Sequence, residues 1–263
     1  MTRLTRVRSQ ASADWRSFTR RRTAVFFTFF FPVILIVIFG ALVRSDPGGG
    51  GLFSEPPAYY VPGYLAVVVL FTPLSRLGSE VARHREGNRF EKLATTPLTR
   101  GEWLLSQTLV NTVIIAVAGL LILALVVALT GAEIALSVWL LAYVLVGVVC
   151  FCGVGAIIGS YTDSQDGAVA ASNAIGLPLL FLSETFVTLE QLPGWFAPLV
   201  DLSPLTYFAR GVRAASYPGA ETGVSGTLES VTGVDPAFGN LLVLGAFALV
   251  FFVIGARSIP ATE

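Results

Sequence analysis

Six stretches of this chain, at about 23–43, 61–77, 104–130, 136–158, 168–187 and 238–256, are almost entirely apolar. Each is close to the ~20 residues a helix needs to cross a bilayer. Inside lipid every backbone N–H and C=O must find its partner within the protein, so runs of this kind fold as α-helices. Composition agrees with that reading. The chain is 54% hydrophobic and 13% charged, where a soluble domain carries roughly a quarter charged residues. The expected fold class is all-α: a polytopic membrane protein with six transmembrane helices, forming one transmembrane domain over 1–263.

The segments between these runs differ in character. In residues 1–22, Leu4, Val7, Ala11, Trp15 and Phe18 recur at steps of three and four, which makes one apolar helical face. Seven arginines surround or follow it. An arginine-rich amphipathic helix carrying Trp and Phe suits the plane of the lipid headgroups; the alternative is a solvated basic tail. The first apolar run is too long for a signal-peptide core and lacks an A-x-A site, so it is expected to be a retained span, bent at Pro32. Residues 44–60 are rich in Gly and Pro and read as a loop, and GAEIA, 131–135, as a tight turn. The outer segment, 188–235, is broken by Pro193, Pro198, Pro204 and Pro218 into pieces too short to span.

Orientation follows from the placement of Arg and Lys. The N-terminal segment and the 78–103 loop, with Arg83, Arg85, Arg89, Lys92 and Arg100, are the basic ones. Both are therefore expected on the cytoplasmic side, and six spans return the C-terminus there as well. The link 160–167 is expected inside although it has two aspartates and no basic residue. The location implied is the plasma membrane. The zero net charge provides no global field for nucleic acid.

Several chemistries are excluded by the residues available. The single histidine, His84, precludes a zinc motif of the H-E-x-x-H kind. The only lysine, Lys92, follows no glycine loop, so there is no P-loop for ATP. Cys150 and Cys152, two residues apart on a helix, point to different sides and read as small packing residues. Ionisable residues inside spans mark ion pathways, and the runs hold few; Glu184 is expected to snorkel or face water, and Asn111 and Asn173 are uncharged. Gly155 and Gly159 have the G-x-x-x-G spacing of close helix packing. Trp195, Tyr207 and Tyr217 suit an aromatic belt.

The polar stretch after the second run has its own logic. EVARHREGNRFEKLATTP reads as a helical extension of that span followed by a short helix that stops before Pro97. Thr99 and Glu102 then have the spacing of a capping box that opens the next helix. Helix, break and helix make a rigid connection, unlike a Gly/Ser linker.

These residues resemble an ABC-2 type permease, the membrane subunit of an ATP-binding cassette exporter. Phe90-Glu91-Lys92-Leu93-Ala94-Thr95-Thr96-Pro97-Leu98-Thr99-Arg100 is similar to that family's cytoplasmic hydrophobic-Glu-x-Leu, Thr-Pro and Ser/Thr-Arg element. Leu192-Pro193-Gly194-Trp195 and Ser203-Pro204-Leu205-Thr206-Tyr207 resemble its motifs after span five. The family often has Gly-Thr where this chain has Asn88-Arg89, and Ser-Gly where it has Ser183-Glu184. The resemblance implies that Phe90, Glu91, Lys92, Leu93, Thr96 and Pro97 form a coupling helix for an ATPase. It implies that Leu4, Val7, Trp15 and Phe18 belong to an interfacial helix beside it. Pro193, Trp195, Pro204 and Tyr207 would belong to short re-entrant helices at an outer gate. The implied partners are an ABC ATPase subunit, a second permease copy or a sister permease, and membrane lipid. No cofactor is expected on this chain, with ATP and magnesium on the partner, and the cargo class is a drug, lipid or glycan. An ion-coupled secondary transporter or a membrane assembly factor is the alternative.

Overall fold

The computed structural model describes residues 2–38, 56–186, 193–217 and 236–260, and all regular structure among them is helical. The helices are α1 (Arg3–Arg20), α2 (Arg22–Ile36), α3 (Val61–Glu86), α4 (Arg89–Ala94), α5 (Arg100–Thr130), α6 (Val138–Tyr161), α7 (Gln165–Phe181), α8 (Ala197–Val200), α9 (Pro204–Ser216) and α10 (Pro236–Ser258). Four stretches are long and apolar enough to cross a membrane: Pro57–Glu86, Arg100–Thr130, Val138–Tyr161 and Ala237–Ser258. The protein is a multi-pass, all-α membrane protein.

The other two expected spans are shorter. Helix α2 has 15 residues, with Pro32 inside it; the end of its expected range, 39–43, lies outside the described residues. Helix α7 has 17 residues, about 26 Å at 1.5 Å per residue, against a hydrocarbon core of ~30 Å. The expected fifth span, 168–187, is therefore corrected: the helix starts earlier, at Gln165, and stops at Phe181. The cause is polar. Ser183 and Glu184 leave the helix to bond elsewhere, with the Ser183 hydroxyl 2.6 Å from that of Ser203, while the Thr185 hydroxyl turns back to the Leu180 carbonyl.

Helix α3 is the centre of the bundle, and every residue from Val61 to Leu70 is buried. It packs against α6, α7, α5, α9 and α2, while α10 covers the far side of α6. The G-x-x-x-G pair works inside this bundle. A Cβ on Gly159 would collide with the Gly78 carbonyl of α3, and one on Gly155 would press on the Pro73 carbonyl. Cys150 and Cys152 are free and buried, as packing residues should be.

Loops sort by end. At one end lie α1, α4, the α6–α7 link and the C-terminus of α10, tied by backbone contacts. Arg85 donates to the carbonyls of Ser160 (2.8 Å) and Thr162 (3.0 Å), and Arg100 to that of Ile259 (2.8 Å). Among the described residues, every Lys and Arg except Arg210 and Arg213 belongs to segments at or leading to this end, hereafter the basic end. Arg85 also explains how the acidic 160–167 link sits there without a cation of its own. At the opposite end, the 131–137 link runs extended rather than as a tight turn, with Ala135 N–H donating to Ser216 O at 3.0 Å.

Candidate functional site

The basic end is built around α4. Glu86 ends α3, and Asn88 adopts φ 48°, ψ 34°, a left-handed conformation that Asn tolerates better than most non-glycine residues. That reverses the chain and starts α4. The Phe90 ring packs against His84 and Trp103, with centroids 5.2 to 5.4 Å apart among the three. One aromatic cluster thus joins α4 to the ends of α3 and α5. Phe90 is buried and Leu93 half-buried, whereas Glu91, Lys92, Thr96 and Pro97 are exposed. The Thr95 and Thr96 hydroxyls donate back to the Lys92 and Leu93 carbonyls at 2.8 and 2.7 Å, closing the last turn.

The capping box is present. Thr99 Oγ1 accepts from Glu102 N–H (3.2 Å), and Glu102 Oε2 accepts from Thr99 N–H (2.9 Å). Arg6 of α1 grips the same carboxylate through Nη2 (2.6 Å) and Nε (3.3 Å). The stripe read in residues 1–22 divides on folding. Val7 and Phe18 are buried, while Leu4 is 83% and Trp15 39% exposed. Helix α1 therefore lies along the start of α5 and keeps part of its apolar face free.

Behind α1 opens a groove of about 1140 Å³ between α2, α3 and α7. Its walls are apolar: Phe31 and Leu35 from α2, Val68 and Phe71 from α3, Leu177 and Phe181 from α7. Its basic-end floor is polar, with Asp14, Arg21, Arg76, Glu80 and Gln107. Arg76 donates to Asn111 Oδ1 at 2.9 Å and lies 5.1 Å over the Phe18 ring. Glu80 pairs with Arg83 and has His84 Nδ1 at 3.5 Å and Arg21 Nη1 at 3.9 Å. Asp14 accepts from Gln10 (3.0 Å) and Ser106 (3.3 Å). Burial raises the Asp14 carboxyl pKa above the ordinary carboxylate value, against the lowering effect of the Gln10 bond and the Arg76 charge.

The opposite end is closed by a polar knot. Arg210 of α9 holds both Glu184 oxygens at 2.8 Å and Asp201 Oδ1 at 2.8 Å. Burial works against the charge on Arg210, but its bonds to Glu184 and Asp201 outweigh that and raise its pKa above the usual value. Arg213 donates to the Glu184 carbonyl at 2.7 Å and lies over the Tyr59 ring at 4.1 Å. Glu184 is 2% exposed, so the expectation that it snorkels or faces water is corrected: a half-buried arginine, Arg210, distant in sequence, takes its charge. Around the knot Pro204 is buried as the first residue of α9, Tyr207 donates to Asp201 O at 2.8 Å, and Trp195 and Pro193 are exposed.

Sequence reasoning did not single out Arg76, Glu80 or Asp14. A signal was available, since Thr72, Arg76, Glu80 and Arg83 recur at helical spacing, a polar stripe on an otherwise apolar helix.

The family profile described as ABC-2 type transporter matches residues 6–217, which include α1, α4 and α9. The chain belongs to the ABC-2 type transporter family. The comparison with curated proteins found no match. Members of this family are membrane subunits that lack a nucleotide site of their own, and the ATPase is a partner. Among the described residues of this ABC-2 chain, no group of three His, Cys, Asp or Glu residues could hold a metal.

Proposed function

We propose that this chain is the permease subunit of an ATP-driven exporter, with its basic end in the cytoplasm and six crossings of the plasma membrane. The observation that carries the reading is α4. A family member that fixes a short helix between the ends of α3 and α5, and leaves Glu91 and Lys92 exposed, can pass a push on that helix directly into its central span. Glu91, Lys92, Thr96 and Pro97 meet the ATPase, while Phe90 and Leu93 transmit its movement inward. Helix α1, with Leu4 and Trp15 in the headgroup layer, braces α5 through Arg6. Two copies, or this chain and a sister permease, enclose the path, with two ATPase subunits below. Nucleotide binding then biases the equilibrium between inward- and outward-facing states. The stretch around Pro193, Trp195, Pro204 and Tyr207 closes the outer exit, and the cargo is a drug, lipid or glycan.

The test is co-expression with its ABC ATPase partner, whose gene is expected to lie beside this one. Glu91→Ala with Lys92→Ala is expected to abolish co-purification and cargo-stimulated ATP hydrolysis while the chain stays folded. Intact association and stimulation in that variant would remove the coupling assignment.

A further inference from the structure

The last two residues of α3 grip the α6–α7 link from opposite sides. Arg85 donates to the carbonyls of Ser160 and Thr162 at the end of α6, where a helix leaves its last carbonyls without partners of its own. Glu86 accepts from the Gln165 N–H (3.1 Å) and Nε2 (3.2 Å) at the start of α7, while Ser164 caps the Gly167 N–H at 3.0 Å. The cation thus meets the negative end of one helix dipole and the carboxylate the positive end of the next, both favourable. Gly87 and Asn88 follow at once, and then α4, so a push on α4 acts directly on this clasp.

Helix α7 leads from the clasp to the opposite end of the bundle. Three residues past Phe181, where it stops, Glu184 sits in the polar knot with Arg210. Glu184 takes φ 54°, a left-handed backbone that strains a non-glycine residue and lasts only while its surroundings hold it. The knot is therefore an element that can be released. Along their shared face α7 meets α3 through the small residues Ala168 and Ser172. The Ser172 hydroxyl lies nearer its own Ala168 carbonyl (2.7 Å) than the Leu74 carbonyl of α3 (3.1 Å). Packed helices can shear past one another, and the clasp fixes α7 along its axis. We propose that Arg85 and Glu86 are positioning residues that carry the movement of α4 into α7, and through α7 to the Glu184–Arg210 knot. This inference rests on the permease reading.

The test uses the complex of the full chain with its ATPase in detergent. Val200, 1% exposed and next to Asp201 of the knot, is the reporter position. Maleimide alkylation of Val200→Cys is read over the background of the parent chain, whose Cys150 and Cys152 are buried. Its rate should change about fivefold or more when a non-hydrolysable ATP analogue and magnesium are added, the usual size of a coupling between sites. Adding Arg85→Gln and Glu86→Gln should shrink that change to about twofold or less while the ATPase still co-purifies. Arg85→Lys with Glu86→Asp should restore part of it. A clasp with a structural role alone would alter alkylation equally in both nucleotide states. An undiminished nucleotide response in the double glutamine variant, or no response with the clasp intact, overturns the proposal. Hydrogen exchange on the wild-type complex tests the same step with no substitution. The Gln165 amide should change its protection with nucleotide together with residues 90–94, and a response at 90–94 without one at Gln165 also overturns the proposal. A wild-type chain that fails to associate with the ATPase removes the permease reading, and this inference with it. A failed relay in an associated complex removes this inference alone.

Discussion

The two ends of the bundle hold buried charge in opposite ways. At the far end Glu184 and Arg210 neutralise each other through two 2.8 Å bonds, with Asp201 and Arg213 filling the remaining positions. At the basic end Arg76 rests on an amide and a ring, and an open groove begins beside it. A charge pair completed within the protein fixes α7 to α9 and leaves nothing for a ligand. A cation that hydrogen-bonds only to a neutral amide, with Glu80 and Asp14 acting on it from a distance, costs the fold less to disturb. The comparison assigns a latch to one end and an open groove to the other.

The most severe way to break it is Glu184→Ala. Removing Glu184 leaves the half-buried Arg210 with Asp201 alone, which costs about 3 kcal/mol, the low end for breaking a buried pair. Unfolding of the purified chain in detergent should fall accordingly; a change below about 1 kcal/mol would show that the knot is not a latch. Next is packing. A Cβ on Gly211 would enter the Tyr143 ring, whose hydroxyl is bonded to Ala237 O and so resists moving aside. Gly211→Ala should cost about 1–3 kcal/mol. Gly101, at the basic end, has open space around the same position, so Gly101→Ala should leave stability equal or raise it by about 0.5–1 kcal/mol.

Smaller effects sharpen the groove side. Arg76→Gln should cost stability only about 1 kcal/mol, the worth of an ordinary hydrogen bond, measured by the same unfolding. A loss as large as that of Glu184→Ala would make Arg76 structural. Thr99→Ala, which removes the cap of α5, should also cost about 1 kcal/mol, and circular dichroism should show no more than local fraying. A larger loss of helix would show that α4 depends on this cap rather than on the Phe90 cluster.

Much of this was legible in the sequence because its signals are local. The capping box needs only Thr99 and Glu102, three residues apart, and the stop of the short helix needs only Pro97. The departure at Asn88 has a structural answer, since Asn there takes the left-handed backbone. The departure at Glu184 does not announce its partner. Arg210 lies 26 residues away in sequence, and no periodicity links them. The fifth helix was read as long for the same reason: Leu182 to Phe186 are mostly compatible with a helix, and only bonds to α9 turn them away. Arg76 was visible as a residue near the end of an apolar run, but Asn111 and Phe18, the groups that hold it, come from two other helices.

The sequence by itself determined that this chain crosses a membrane as helices, which of its segments are basic, and where α5 begins. Those follow from hydropathy, the positions of Arg and Lys, and backbone chemistry within a few residues. Only the tertiary structure decided that Glu184 is neutralised, that Phe90 faces inward while Glu91 faces out, and that Arg76 opens onto a groove. Whether a buried charge is satisfied depends on which distant side chain the packing brings within hydrogen-bond reach.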